Sequence, residues 1–352
     1  MLKDKRVVVT GGTGSLGKVL VRRLLSGEAG MPGQIVVFSR DEAKQHSMRL
    51  AFQRLRAATD EVIYHNFEQL LQFRIGDVRD PHSVATALRD ADVVFNAAAL
   101  KQVPSCEYFP YEAVQTNVNG AENIIRVIRE QRLPVETVVG VSTDKACKPV
   151  NVMGMTKAVQ ERLFVRANLD IPDTRFVCVR YGNVLASRGS VIPLFHEQIR
   201  RGGPVTITTT DMTRFLLSLE QAVDTVLAAV GGARRGETYI PRVPSARVTD
   251  VAAALVGERQ IETRVTGIRP GEKVHEILVS EEEAYRTVGR GDYYVIRPML
   301  PELLDEDEKG ETLGREYSSA DDLMTGGQVV ELLEKHRLMV GDRFVYEEDM
   351  LA

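Results

Sequence analysis

Apolar residues follow two rhythms along the first half of the chain. Short Val- and Ile-rich runs recur at 6–10, 34–38, 72–76, 93–97 and 137–141, the pattern of strands buried on both faces. Between them lie longer segments, with helical apolar spacing at 18–26 and a polar, helix-favouring stretch at 41–57. Strand and helix in alternation predict an α/β fold, a Rossmann-type doubly wound parallel sheet. After Arg180 the rhythm changes. Residues 191–201, 216–230, 248–256 and 328–337 read as helices, and 205–208 and 237–241 as strands. These pieces predict a sheet domain over 1–185, joined again in part by 205–245. A smaller α/β substrate-binding domain is expected from 186–204 and 246–320, followed by a helical tail over 321–352. The acidic stretch 305–311 reads as a solvated loop.

Composition narrows the classes. The 352 residues carry 45 Lys+Arg against 49 Asp+Glu, a formal net charge of −4, which gives no general attraction to nucleic acid or anionic lipid. An apolar content of 43% with 27% charged residues suits a soluble globular protein. No apolar run reaches the ~18 residues of a membrane span, and the N-terminus enters a strand at once, without room for a signal peptide. Cys106, Cys147 and Cys178 form no CxxC pair, so a reducing, cytoplasmic setting and no metal site are expected. The six histidines contain no HxxxH pair; His196 and His275 read as structural or surface residues.

A glycine-rich turn follows the first strand and opens the first helix: Gly11-Gly12-Thr13-Gly14-Ser15-Leu16-Gly17. Backbone N–H groups and the helix dipole at such a turn favour a pyrophosphate. The GxxGxxG spacing is the form seen in short-chain dehydrogenase/reductase-type Rossmann proteins. At the end of the second strand an acid would accept from the ribose hydroxyl of NAD. Here stand Ser39 and Arg40, with Lys44 one helical turn on, a hydroxyl and two cations that suit the extra phosphate of NADP. The alternative is that Arg40 and Lys44 are surface residues of the following helix. Asp77 and Val78 are placed to meet the adenine, and Ala97, Ala98 and Ala99 are small where a cofactor lies close to the backbone.

The fifth strand ends in Ser142-Thr143-Asp144-Lys145, and Met153 and Lys157 follow at a spacing that sets both on one helical face. In the short-chain dehydrogenase pattern a Ser or Thr at this strand end pairs with Tyr-x-x-x-Lys. Lys157 is present, but Met153 takes the tyrosine position, and a thioether cannot shuttle a proton. Asp144 and Lys145, adjacent at the carboxyl end of a strand, stand where α/β enzymes place their chemistry.

These motifs, in this order, resemble the UDP-N-acetylglucosamine 4,6-dehydratases of the bacterial polysaccharide-biosynthesis type, extended short-chain dehydrogenase/reductases. The resemblance runs from about Lys5 to Tyr317. It includes Thr10–Gly17, Phe38-Ser39-Arg40-Asp41-Glu42, Ala97-Ala98-Ala99-Leu100-Lys101, Ser142–Ala146 and Arg180-Tyr181-Gly182-Asn183-Val184. It continues through Ser187-Arg188-Gly189-Ser190-Val191, Asp211-Met212-Thr213-Arg214-Phe215 and Gly267-Ile268-Arg269-Pro270-Gly271-Glu272-Lys273. Asn96 and Gln102 depart from it, standing where many members have His.

The resemblance implies a tightly bound, recycled NADP and a UDP-N-acetylglucosamine substrate. Hydride leaves sugar C4, Lys145 is the candidate base for the C5 proton, and Asp144 is the candidate acid for the C6 hydroxyl. Thr143 and Lys157 hold the C4 hydroxyl and the nicotinamide ribose. Some members also carry methionine at the Met153 position, leaving Asp144 or a Lys157-linked water to take the C4 hydroxyl proton. Cofactor contacts extend to Lys101, Asn117, Ser142, Tyr181 and Val184. Substrate contacts are implied for Lys101, Asn183, Arg188, Gly189, Ser190, Val191, Thr206, Ile207, Thr208, Arg214, Arg269 and Glu272. A homo-oligomer, often a hexamer, is also implied, with inversion at C5 slightly favoured over retention. Two other readings stay open: a UDP-sugar 4-epimerase, and a catalytically silent nucleotide-binding protein.

Overall fold

The structure, a computed structural model, describes residues 1–54, 61–185, 190–304 and 310–342. Its main sheet is built on six parallel strands, β1 (Arg6–Thr10), β2 (Gln34–Ser39), β3 (Leu71–Ile75), β4 (Val93–Asn96), β5 (Thr137–Val141) and β6 (Arg175–Val179). They lie in the order β3-β2-β1-β4-β5-β6, so the chain reverses direction across the sheet between β1 and β4. Thr238–Pro241 joins β6 in parallel, and the antiparallel hairpin of Thr287–Arg290 and Tyr293–Ile296 closes that edge. The sheet is thus the doubly wound α/β type that the alternating pattern predicts.

Side-chain alternation explains the layering. Val7, Val9 and Val37 point to one face and pack with the helices Ser15–Ser26 and Leu219–Gly232, whereas Val8, Val36 and Phe38 point to the other. That second face is covered by Pro81–Leu88, Gly120–Gln131 and Val152–Asp170. Both faces are covered, which is why these strands read as nearly continuous apolar runs.

A separate core lies beyond the carboxyl ends of the strands. It joins Ile192, Phe195 and Ile199 of Val191–Arg200, Val205 and Ile207, and Val251 and Leu255 of Val248–Val256. Val329 and Leu333 of Gly326–Lys335 complete it, so this terminal helix packs into the smaller core. The strand Val205–Ile207 pairs in parallel with Thr263–Val265, outside the main sheet. The hairpin over 287–296, grouped by sequence with the smaller domain, hydrogen-bonds into the main sheet instead. Its strands are four residues each, too short for periodicity to reveal which sheet they join. Among the described residues no helix is long and apolar enough to cross a membrane.

One buried guanidinium fastens the two parts. Arg180, just after β6, donates to both oxygens of Glu161 (3.1 and 2.6 Å), to both of Glu283 (2.7 and 3.0 Å) and to the Leu278 carbonyl (2.8 Å). Burial alone would raise the Glu283 carboxyl, but Arg180 overrides it and holds it down at about 2. Replacing Arg180 by Met leaves two buried carboxylates without their partner and is expected to cost ~3–5 kcal/mol in urea unfolding. The Glu283 contribution is fully present above pH ~4.5 and is lost as pH falls toward 2, so the wild-type advantage should fade over that window.

Candidate active site

A cleft of about 850 Å³ runs along the carboxyl ends of the strands, between the sheet and the smaller core. The glycine-rich turn forms one end. Gly11 has φ +65°, and a Cβ there would stand 2.7 Å from the Ala98 amide nitrogen. A Cβ on Gly17 would meet the Gly12 backbone at 2.5 Å, so only glycine lets the first helix seat so close to its strand. Gly14 precedes the first turn of Ser15–Ser26 and has no side chain to cap it. Thr13 and Leu16 line the same end. Ser39 Oγ lies 2.9 Å from Thr13 Oγ1 and accepts from the Asp41 amide. Arg40 sits 3.8 Å from Asp77 and Lys44 3.5 Å from Asp41, both cations exposed at the rim. Val78, Ala97, Ala98, Ala99 and Lys101 continue the wall.

The middle of the cleft is made where the turn after β5 meets the helix Val152–Asp170. Asn151 caps that helix, accepting from the Gly154 amide at 2.8 Å. Gly154 is obligatory, because a Cβ would fall 2.1 Å from the Lys145 carbonyl oxygen. The close approach brings Thr143, Lys145, Met153 and Lys157 to one wall with Ser142. Asp144 is buried and does not itself line the cleft. Its Oδ1 accepts from Thr143 Oγ1 at 2.7 Å and from Lys145 Nζ at 3.1 Å, so both its contacts toward the cleft run through neighbours.

Lys145 Nζ also donates to Asn183 Oδ1 at 3.1 Å and lies 3.3 Å from Glu276 Oε1. Burial works against its charge, but Asp144 and Glu276 outweigh that and hold its pKa above the ordinary lysine value. Lys157 is the opposite case. Its Nζ donates to Gln160 at 2.6 Å, and burial, only partly offset by the Glu161 carboxylate, pulls it down to about 8. Ser142 Oγ donates to Glu161, tying the wall to the Arg180 cluster.

The other end is formed by Tyr181, Asn183, Val184, Ser190, Val191, Thr206, Ile207, Thr208, Arg214, Arg269 and Glu272, all of which line the cleft. Ser190 precedes the helix Val191–Arg200, and its buried Oγ has no hydrogen-bond partner among the described residues. Arg214 is anchored by the carbonyls of Thr213 (2.7 Å) and Val274 (3.1 Å), and its Nε lies 3.9 Å from Glu276. It therefore faces Lys145 as much as the Thr206–Thr208 strand. Glu272 accepts weakly from Thr208 Oγ1 (3.5 Å) and the Arg269 amide (3.4 Å). Arg188 and Gly189 lie outside the described residues. Asn117 is fully buried behind the wall, bonded to the Leu100 backbone and to Thr156 Oγ1, and holds the 97–101 loop from behind.

Sequence reasoning passed over Glu276. Its only local signal is a lone acid beside the apolar run Ile277–Val279, just after the Gly271-Glu272-Lys273 motif.

Comparison with known proteins agrees with this architecture. The family described as polysaccharide biosynthesis protein matches residues 7–298. The chain belongs to that family. It is 40% identical over 348 residues to a UDP-N-acetylglucosamine 4,6-dehydratase (inverting) of Campylobacter jejuni, covering 95% of this chain and 98% of that one. It is also 40% identical over 341 residues to a UDP-glucose 4-epimerase of Rickettsia bellii, covering 96% and 91%. Among solved structures, Pen from Bacillus thuringiensis superposes with a TM-score of 0.83 at 32% identity, covering 96% of this chain and all of that one. Sugar-nucleotide dehydratases and epimerases are thus the enzymes it is similar to.

Two outcomes follow from the wall around Lys145. Gly154→Ala must push the helix off the 144–146 turn, an overpacking expected to cost ~1–3 kcal/mol in thermal unfolding. Lys157 binds its proton less tightly folded than unfolded, so between pH about 8 and the ordinary lysine value of 10.5 the unfolded chain holds more protons. Wild-type stability should therefore rise with pH over that window relative to Lys157→Met, a difference that paired denaturation curves would measure.

Proposed function

We propose that the protein is an NADP-dependent UDP-N-acetylglucosamine 4,6-dehydratase, a hydro-lyase that inverts C5. Lys145 carries this reading: a part-buried lysine on the cleft wall, held by Asp144, Asn183 and Glu276, suits removal of a proton at C5 once its amine is neutral. An epimerase has no use for a C5 base. It does need a group for the C4 hydroxyl proton, normally the tyrosine that Met153 replaces here. The Rickettsia relatives bear the epimerase name at equal identity, so the test has to separate the two reactions.

The glycine cradle, Ser39, Arg40, Lys44, Asp77 and the 97–99 loop fit a nicotinamide dinucleotide. When bound, that cofactor supplies a hydride acceptor and later a donor. Lys157 would orient its ribose. The N-terminus of Val191–Arg200 with Ser190, together with Arg269, suits the sugar diphosphate, and Thr206–Thr208 the uracil. At the sugar, Thr143 Oγ1 passes the C4 hydroxyl proton to Asp144, which later returns it through Thr143 to the departing C6 oxygen, released as water. Lys145 takes the C5 proton as a neutral amine, and a proton is afterwards added back at C5. The balance is loss of one water from the sugar. Because Lys145 is held as a cation at neutral pH, turnover should rise toward alkaline pH.

Product NMR after incubation with UDP-N-acetylglucosamine in D₂O is the deciding experiment. Deuterium at C5 of a 4-keto-6-deoxy product with inverted configuration is expected. A C4 epimer with protium at C5 would establish the epimerase instead. Lys145→Met should lower product formation by ~10²-fold or more. For the cofactor, Arg40→Ala should weaken NADP about ten-fold and leave NAD unchanged in isothermal titration, since a hydrogen bond to a charged group is worth ~1.5–3 kcal/mol.

A further inference from the structure

Four charged groups form a chain of contacts running from the cleft wall inward, alternating in sign: Arg214, Glu276, Lys145 and Asp144. The spacings are 3.9 Å from Arg214 Nε to Glu276 Oε1, 3.3 Å from that oxygen to Lys145 Nζ, and 3.1 Å from Nζ to Asp144 Oδ1. Glu276 comes from a segment more than a hundred residues away in sequence, yet it is buried and lines the same cleft. Its second oxygen is buried with no hydrogen-bond partner among the described residues. A carboxylate kept only for stability is expected to satisfy both oxygens, because burying one without partners costs several kcal/mol in charge desolvation. The unsatisfied oxygen and the place on the cleft wall point instead to a role toward the amine it faces.

We propose that Glu276 is a positioning residue that holds Lys145 Nζ on the substrate wall and, opposed by Arg214, sets how readily that amine gives up its proton. The charged groups facing Lys145 are Asp144 on its own turn, Glu276, and Arg214 behind Glu276. Losing Glu276 leaves two cations against one carboxylate, which favours the neutral amine. Losing Arg214 leaves two carboxylates against one cation, which favours the ammonium. A neighbouring opposite charge at this range favours the charged form roughly ten-fold or more. The assignment of Glu276 to catalysis rests on the dehydratase reading; its hold on the Lys145 proton does not.

The test uses the full chain without substrate. Competitive acetylation with acetic anhydride, followed by mass spectrometry of the Lys145 peptide across pH, reports the neutral amine directly. Glu276→Gln should raise Lys145 labelling at fixed pH about ten-fold, while Arg214→Gln should lower it. In turnover, the alkaline rise of kcat should move to lower pH in Glu276→Gln, with KM for the sugar nucleotide changed far less. Labelling curves that superimpose on wild type, or both variants moving the same way, would overturn the proposal. If Glu276→Gln does not fold, Glu276→Asp, which keeps the charge but withdraws it from Lys145 Nζ, takes its place and should also raise labelling, with an unchanged curve overturning the proposal. A wild-type chain that makes no dehydration product would sink the dehydratase reading, with the labelling result still deciding Glu276.

Discussion

The buried guanidinium of Arg180 is the contact on which the site depends. It sits where β6 ends and binds one carboxylate from the helix that carries Met153 and Lys157 and another from the segment that carries Glu276. Without it, Glu161 loses its ion pair and Glu283 keeps only the looser one to Arg286 at 3.8 Å. A buried ion pair of this kind adds little net stability over an apolar replacement, but it is strict about geometry. Here that strictness fixes the distance between the wall that carries Lys145 and the segment that reaches across to it. The same segment is fastened at two further points, by Asn151 Nδ2 to the Gly271 carbonyl (2.9 Å) and by Lys273 Nζ to the Cys147 carbonyl (2.5 Å).

Within that frame the site separates two lysines that a residue list would treat alike. Lys145 faces carboxylates and keeps its proton; Lys157, twelve residues on, is buried beside a neutral amide and holds its proton loosely. Environment therefore sets them apart in acidity: Lys145 gives up its proton only at high pH, Lys157 at about 8. Met153 suits this arrangement. It packs with Cys106 and Ala113 and presents an apolar surface where a tyrosine would bring a competing proton carrier.

Much of the fold was legible in the residues because its signals are local. Alternating apolar runs, the glycine-rich turn and the order of motifs each depend on neighbours a few positions apart, and the parallel sheet and its chain reversal follow from them. The edge hairpin over 287–296 was not legible in this way, since short strands carry no record of the sheet they join. Nor was the packing of the helix Gly326–Lys335 into the smaller core, which depends on Leu255 and Phe195 far back in the chain.

For the site, the sequence by itself determined which chemical groups are available: a glycine-rich turn at a helix start, an acid and a lysine at a strand end, and a lysine one helical turn past a methionine. Tertiary structure alone decided how they are connected. It set Asp144 behind the wall, where its cleft-side contacts are Thr143 and Lys145, and Asn117 behind the loop it supports. It turned Arg214 toward Glu276 and brought Glu276 to Lys145. The physical reason is range. Periodicity and turn chemistry act over a few residues, whereas electrostatic partnership acts over a few ångströms, and only the folded chain converts one distance into the other.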